Sequence, residues 1–113
     1  MALLSEKCDV CRADSPQVTA QEEQDLKPQV PDWEITVVDD ERRLRRVYKF
    51  KGWKLAVRFA DAVAELAEAE NHHPTILIEW GKVTVSWWTH AIRGLHRNDF
   101  IMAAKTDQEY ARQ

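Results

Sequence analysis

The apolar residues of this chain change their spacing in a fixed order, and that order restricts the fold more than any other feature. Between Gly52 and Glu70, Trp53, Ala56, Val57, Ala60, Val63, Ala64 and Ala67 recur at three- and four-residue steps, the period of one helix face. On either side of this stretch the period is two. Trp33, Ile35 and Val37 alternate with Glu34 and Thr36, and Asp39-Asp40-Glu41 supplies a turn. A return strand at about 43–50 places Leu44, Tyr48 and Phe50 on one side and Arg45, Val47 and Lys49 on the other. Residues 75–80 and 82–88 read as a second hairpin around Gly81, with Val83, Val85 and Trp87 alternating against Thr84, Ser86 and Trp88. Thr19 and Glu22 have the spacing of a capping box, which predicts a short helix over 20–27 that Pro28 and Pro31 stop. After Gly94, a last helix from Arg97 to about Tyr110 should bury Phe100, Ile101 and Ala104. The order is α-β-β-α-β-β-α. Hairpins make antiparallel neighbours, so the expected α+β fold is one four-stranded antiparallel sheet with the helices on one face. Its uncovered edge invites a homo-oligomer. The domain is expected to span 19–113, with 1–18 a polar extension.

With 113 residues the chain can build one core and not two. Its 16 Lys and Arg against 19 Asp and Glu give a net charge of −3, so no global basic field draws it to nucleic acid or anionic membranes. Arg42, Arg43, Arg45 and Arg46 form a local basic stripe, read as a solvated or edge-strand face rather than a nucleic-acid site. The longest apolar run, Ile76-Leu77-Ile78, is cut by Glu79 and is far too short for a membrane span. The N-terminus meets charge at Glu6 and Lys7 before any secretory core can form, so a cytoplasmic protein is expected. Cys8 and Cys11 form a C-x-x-C that fits half a zinc site, a redox pair or two idle thiols. With no second C-x-x-C and no βαβ pattern after it, the idle reading is favoured. No G-x-S-x-G is present, and 3 glycines cannot build a phosphate-cradling loop.

All 4 histidines fall between 72 and 96. His72 and His73 are adjacent, so in an extended segment before Pro74 they point to opposite sides. The antiparallel return of the second hairpin brings His90 back beside them. Three imidazoles near aromatic walls suit proton transfer near neutral pH. Zinc is the weaker reading, because no spaced H-x-x-x-H is present, and no metal is expected. Glu65, Glu68 and Glu70 oppose the dipole at the end of the long helix. Either an acid is kept there for the histidines or these are solvated glutamates, and Glu70 is expected to be as solvated as Glu65. His96 is expected on the surface and Trp53 in the core.

These residues carry a resemblance. Glu68-Ala69-Glu70-Asn71-His72-His73-Pro74, then Trp80, Thr89-His90 and Asp99 resemble the E-x-x-x-H-H-P, aromatic, T-H, D signature of the pterin-4a-carbinolamine dehydratases. The resemblance covers about Thr19 to the last helix and includes Pro31-Asp32-Trp33 and Phe50-Lys51. It implies the fold derived above, assembly as a homodimer or homotetramer, and loss of water from 4a-hydroxytetrahydropterin, the product of aromatic amino-acid hydroxylases. It implies no cofactor, and a hydroxylase as a candidate partner. His72, His73 and His90 match the family's active-site histidines, with His72 and His90 sharing acid and base roles and His73 orienting the pterin. Glu68 matches the signature acid, and Asn71 and Thr89 stand inside its motifs. Trp33 matches an aromatic beside the pterin. Asp99 matches the final acid, yet it also stands three residues after His96, where a carboxylate caps a helix, and the cap reading is favoured. Two residues depart from the family. His96 replaces a common Ser or Thr, and Trp88 replaces a smaller residue, where it would narrow the pocket or stack on the ring. Some family members also serve as dimerisation cofactors of a transcription factor, so a binding module is the alternative function.

Overall fold

A computed structural model describes residues 3–8 and 15–113. The Cys11 half of the C-x-x-C lies outside the described residues. Three α-helices and four strands follow in the order expected: α1 (Ala20–Leu26), β1 (Glu34–Val38), β2 (Glu41–Lys49), α2 (Trp53–Glu70), β3 (Thr75–Glu79), β4 (Lys82–Trp87) and α3 (Arg97–Ala111). The strands form one antiparallel sheet in the order β1-β2-β4-β3. No described helix is long and apolar enough to cross a membrane.

Local chemistry sets the boundaries. The Thr19 hydroxyl accepts from the Glu22 N–H at 3.1 Å while the Glu22 carboxylate accepts from the Thr19 N–H at 2.9 Å, which is the capping box of α1. Asp39 and Asp40 both take positive φ, 52° and 63°, as a tight primed turn between strands requires. Helix α2 ends on Asn71 in the left-handed conformation, φ 52°, with the His72 N–H donating back to Ala67 O at 3.1 Å. That closure sends the chain out of the helix and straight into the histidine pair.

The pleat sorts the sheet into two faces. Leu44 lies opposite Trp87 and Tyr48 opposite Val83, and these four are buried together with Phe59, Ala60 and Val63 of α2 and Phe100 and Met102 of α3. Their removal from water is the main stabilising term of the fold. Tyr48, Phe50, Phe59 and Tyr110 add an aromatic cluster with centroid separations of 4.7–5.7 Å.

Several expectations are corrected. Trp53 is 51% exposed, because it is the first residue of α2 and stands three positions ahead of the first buried one, Ala56. Val37, expected inward, is exposed near the end of β1. The arginine stripe lies on β2, an inner strand, so it guards no edge. Each of its members is instead neutralised by an acid: Arg42 by Glu23, Arg43 by Glu41, Arg45 by Glu34 and Arg46 by Asp107. Glu70 is not solvated like Glu65. It accepts from the Cys8 N–H at 3.0 Å and lies 3.7 Å from Lys105 Nζ. Ahead of the expected domain start, Leu3 is buried against the core and Glu6 is paired with Arg97.

Candidate active site

His72 follows the left-handed Asn71 and turns toward the helix side of the sheet. Its ring stacks on Trp87 with 5.7 Å between centroids and 10° between planes. Its Nε2 lies 2.7 Å from Asp99 Oδ1. An ionised carboxylate only accepts, so Nε2 carries the proton and Nδ1 is left as the ring nitrogen available to a ligand.

Asp99 is fully buried, and its second oxygen is also occupied: Oδ2 accepts from the Thr89 hydroxyl at 2.8 Å and from the His96 N–H at 2.9 Å. The cap reading and the site reading of Asp99 describe the same carboxylate. His96 is half-buried rather than a surface bystander, since its Nδ1 accepts from the Asn98 N–H at 3.0 Å and completes the N-terminal closure of α3. One helix cap thus fixes the orientation of a histidine 27 residues earlier.

His73 departs to the other side, as adjacent residues of an extended segment must. Its Nε2 lies 2.9 Å from Glu68 Oε1, an exposed pair one helix turn before the chain reversal. His90 opens a single 3-10 turn, His90–Ile92, closed by the bridge between Thr89 and Gly94. Its Nε2 lies 3.4 Å from His73 O, and its ring is tilted over Trp88 at 4.5 Å. Asn71, His72, His73, Thr89, His90 and Ala91 line a cavity of about 410 Å³. Among the described residues, no group of three or more His, Cys, Asp and Glu is arranged to hold a metal ion.

The structure thus brings together His72, His73, His90, Glu68, Asn71, Thr89 and Asp99. Trp88, 7% exposed, stands behind His90 with the Arg43 guanidinium 3.8 Å from its ring centroid. Trp33 is placed elsewhere. It is buried in the core, edge-on to Tyr48 at 6.1 Å, and its indole N–H donates to Asp107 Oδ1 at 3.0 Å. Asp107 was not singled out from sequence. It accepts from Trp33, from Arg46 at 2.7 Å and from Tyr48 at 2.5 Å, and burial together with this carboxylate pushes the Tyr48 phenol well above its ordinary value. Nothing in the local sequence marks Asp107, because its three donors come from other elements. Trp87, the wall under His72, was legible only as a core residue.

Two comparisons bear on this arrangement. The profile of the family described as pterin 4 alpha carbinolamine dehydratase matches residues 16–109. The fold is also similar to the crystal structure of a "transcriptional coactivator/pterin dehydratase" from Brucella melitensis, with a TM-score of 0.73 and 28% sequence identity over 83% of this chain and 98% of that one. With most of the chain matched, the histidine cavity belongs to a domain of known kind: the protein is a member of the pterin 4 alpha carbinolamine dehydratase family.

Proposed function

We propose that this protein removes water from 4a-hydroxytetrahydropterin to give quinonoid dihydropterin, by proton transfer between the substrate and its histidines. The observation that carries the reading is the buried Asp99–His72 pair, whose histidine lines one cavity together with His73 and His90. In the reaction the C4a–O bond breaks and the oxygen leaves as water once protonated. The electron pair of the N5–H bond forms the C4a–N5 double bond, and its proton goes to a base. One proton is given and one is taken, so two imidazoles suffice and no metal or covalent intermediate is required.

In this reading His72 and His90 share the acid and base roles. Asp99 holds His72 in the tautomer whose Nδ1 exchanges the proton. His73, steadied by Glu68, orients the pterin, while Asn71 and Thr89 shape the cavity and Trp88 backs His90. Trp33 is left out of the contact set, because its indole is enclosed by the core. A homodimer or homotetramer is supported by the edge strand β3, where Leu77 is 53% exposed and the adjoining Trp80 74%. The substrate would come from an aromatic amino-acid hydroxylase.

The test follows the absorbance of freshly made 4a-hydroxytetrahydropterin. The wild-type protein should accelerate its loss, and a His72→Ala/His90→Ala variant should return the rate to the uncatalysed one. Equal rates with and without the wild-type protein would sink the proposal. The Brucella protein's description as a transcriptional coactivator favours a second reading, a binding module for a regulator. A pull-down that returns a transcription factor, from a protein inert toward the carbinolamine, would select that reading.

A further inference from the structure

We propose that Arg43 is a positioning residue that holds His90 at the cavity through Trp88. The inference rests on the dehydratase reading for its catalytic consequence, and on geometry alone for the contact itself.

The β2–β4 register ends at Leu44 opposite Trp87, and Arg43 and Trp88 are the residues next to this last pair in the sequence. There the Arg43 guanidinium carbon stands 3.8 Å from the Trp88 ring centroid, within cation–π range. Trp88 in turn meets the His90 ring at 4.5 Å with 31° between planes. The three groups form a continuous stack from an inner strand to the cavity wall.

Arg43 shares its acid with a second arginine. Its Nη2 reaches Glu41 Oε1 only at 3.4 Å, whereas Arg93 Nε reaches the other oxygen of the same carboxylate at 3.0 Å. Its Nε is buried without a hydrogen-bond partner, the one such side-chain atom among the described residues. A guanidinium has five N–H groups to satisfy, and a buried N–H left unpaired is costly. The side chain keeps one long hydrogen bond to Glu41, leaves its Nε unpaired, and lays its guanidinium on the indole.

His90 needs such support. Among the described residues its ring has one hydrogen-bond partner, His73 O at 3.4 Å, and it sits in a single 3-10 turn rather than in a strand or a long helix. Glu41 and Arg93 anchor the far side of that turn to β2, while Arg43 and Trp88 anchor the ring. An acid or base must be held in reach of its proton, so loosening the stack should slow the chemical step more than it weakens binding.

The experiment compares wild type with Arg43→Ala and with Arg43→Met, which keeps the aliphatic stem over the indole and removes the charge. In the wild type, the His90 Hε1 resonance should be displaced by the ring current of Trp88. Both variants should move it toward the position of a solvent-exposed histidine, Arg43→Ala further. Arg43→Ala should lower kcat about tenfold with KM changed less than about twofold, and it should have no added effect in a His90→Ala background. A resonance that stays put in both folded variants overturns the proposal, as does an equal loss of kcat with and without His90. If the resonance moves but the wild type itself does not dehydrate the carbinolamine, the contact stands and the dehydratase reading fails.

Discussion

Asp99 Oδ1 meets His72 while Oδ2 takes the Thr89 hydroxyl and the His96 N–H, so changing this one carboxylate disturbs a ring, a loop and a helix start together. An Asn at 99 keeps the shape but offers a donor where one of these groups needs an acceptor. Asp99→Asn is expected to lower the dehydration rate by about 10²- to 10⁴-fold, the range spanned by loss of an acid–base group and loss of the right imidazole tautomer. It should also cost about 1–3 kcal/mol of stability, through a buried donor or acceptor left unpaired and a weakened cap. Steady-state kinetics and urea unfolding of the same variant measure both. A rate within threefold of wild type would detach Asp99 from His72's function. The histidines were legible in the sequence because His72, His73 and their Pro74 are contiguous. The residues alone favoured Asp99 as a cap, and only the family resemblance offered it as a site acid, since the His96 spacing is local and the link to His72 is not. Arg43 against Trp88 was illegible for the same reason, because cross-strand neighbours are set by register.

At the scale of elements, the turn and cap residues fixed most boundaries locally. The capping box of α1, the Asp39-Asp40 turn and the period of α2 could all be read because each depends on neighbours a few positions apart. The arrangement of strands could not. Hairpins fix β1 beside β2 and β3 beside β4, but the pairing of β2 with β4 that makes the arginine strand an inner one joins residues dozens of positions apart. The docking of the first residues was equally out of reach: polar and without period, they still bury Leu3 and bind Glu6 to Arg97 with two hydrogen bonds of 2.8 and 2.6 Å. The hydrogen bond from Arg97 holds Glu6 below the ordinary carboxylate range, that from Arg93 does the same for Glu41, and the Thr19 N–H does it for Glu22. A carboxylate lowered in the fold adds stability that is complete above its unfolded value, about 4.3 for Glu. That stability is lost as pH falls through the folded value. Urea midpoints should therefore decline progressively below about pH 4. Arg97→Gln should cost less than about 1 kcal/mol at pH 7, because its pair with Glu6 is partly solvated, and the gap to wild type should close by pH 2. A gap that widens on acidification would reverse the sign assigned to Glu6.

At the scale of the whole molecule, the helices cover one face of the sheet and the two closures at its end converge. The C-terminus of α2 delivers His72 and His73, the end of β4 delivers Thr89 and His90, and the N-terminus of α3 delivers Asp99. Three element ends meeting at one place explain how so small a chain builds a cavity without a second domain. The hub at Asp107, with Trp33, Arg46 and Tyr48, ties β2 and the start of β1 to α3. The central claim is that the catalytic atoms of the pterin sit among His72, His73 and His90. It is tested most directly by a crystal structure of the protein with a dihydropterin bound. The account predicts the ring inside the cavity lined by Asn71, His72, His73, Thr89 and His90, with N5 and the C4a oxygen site each within about 3.5 Å of an imidazole nitrogen. A ring bound instead beside Trp33 and Arg46, with the three histidines empty, would contradict it.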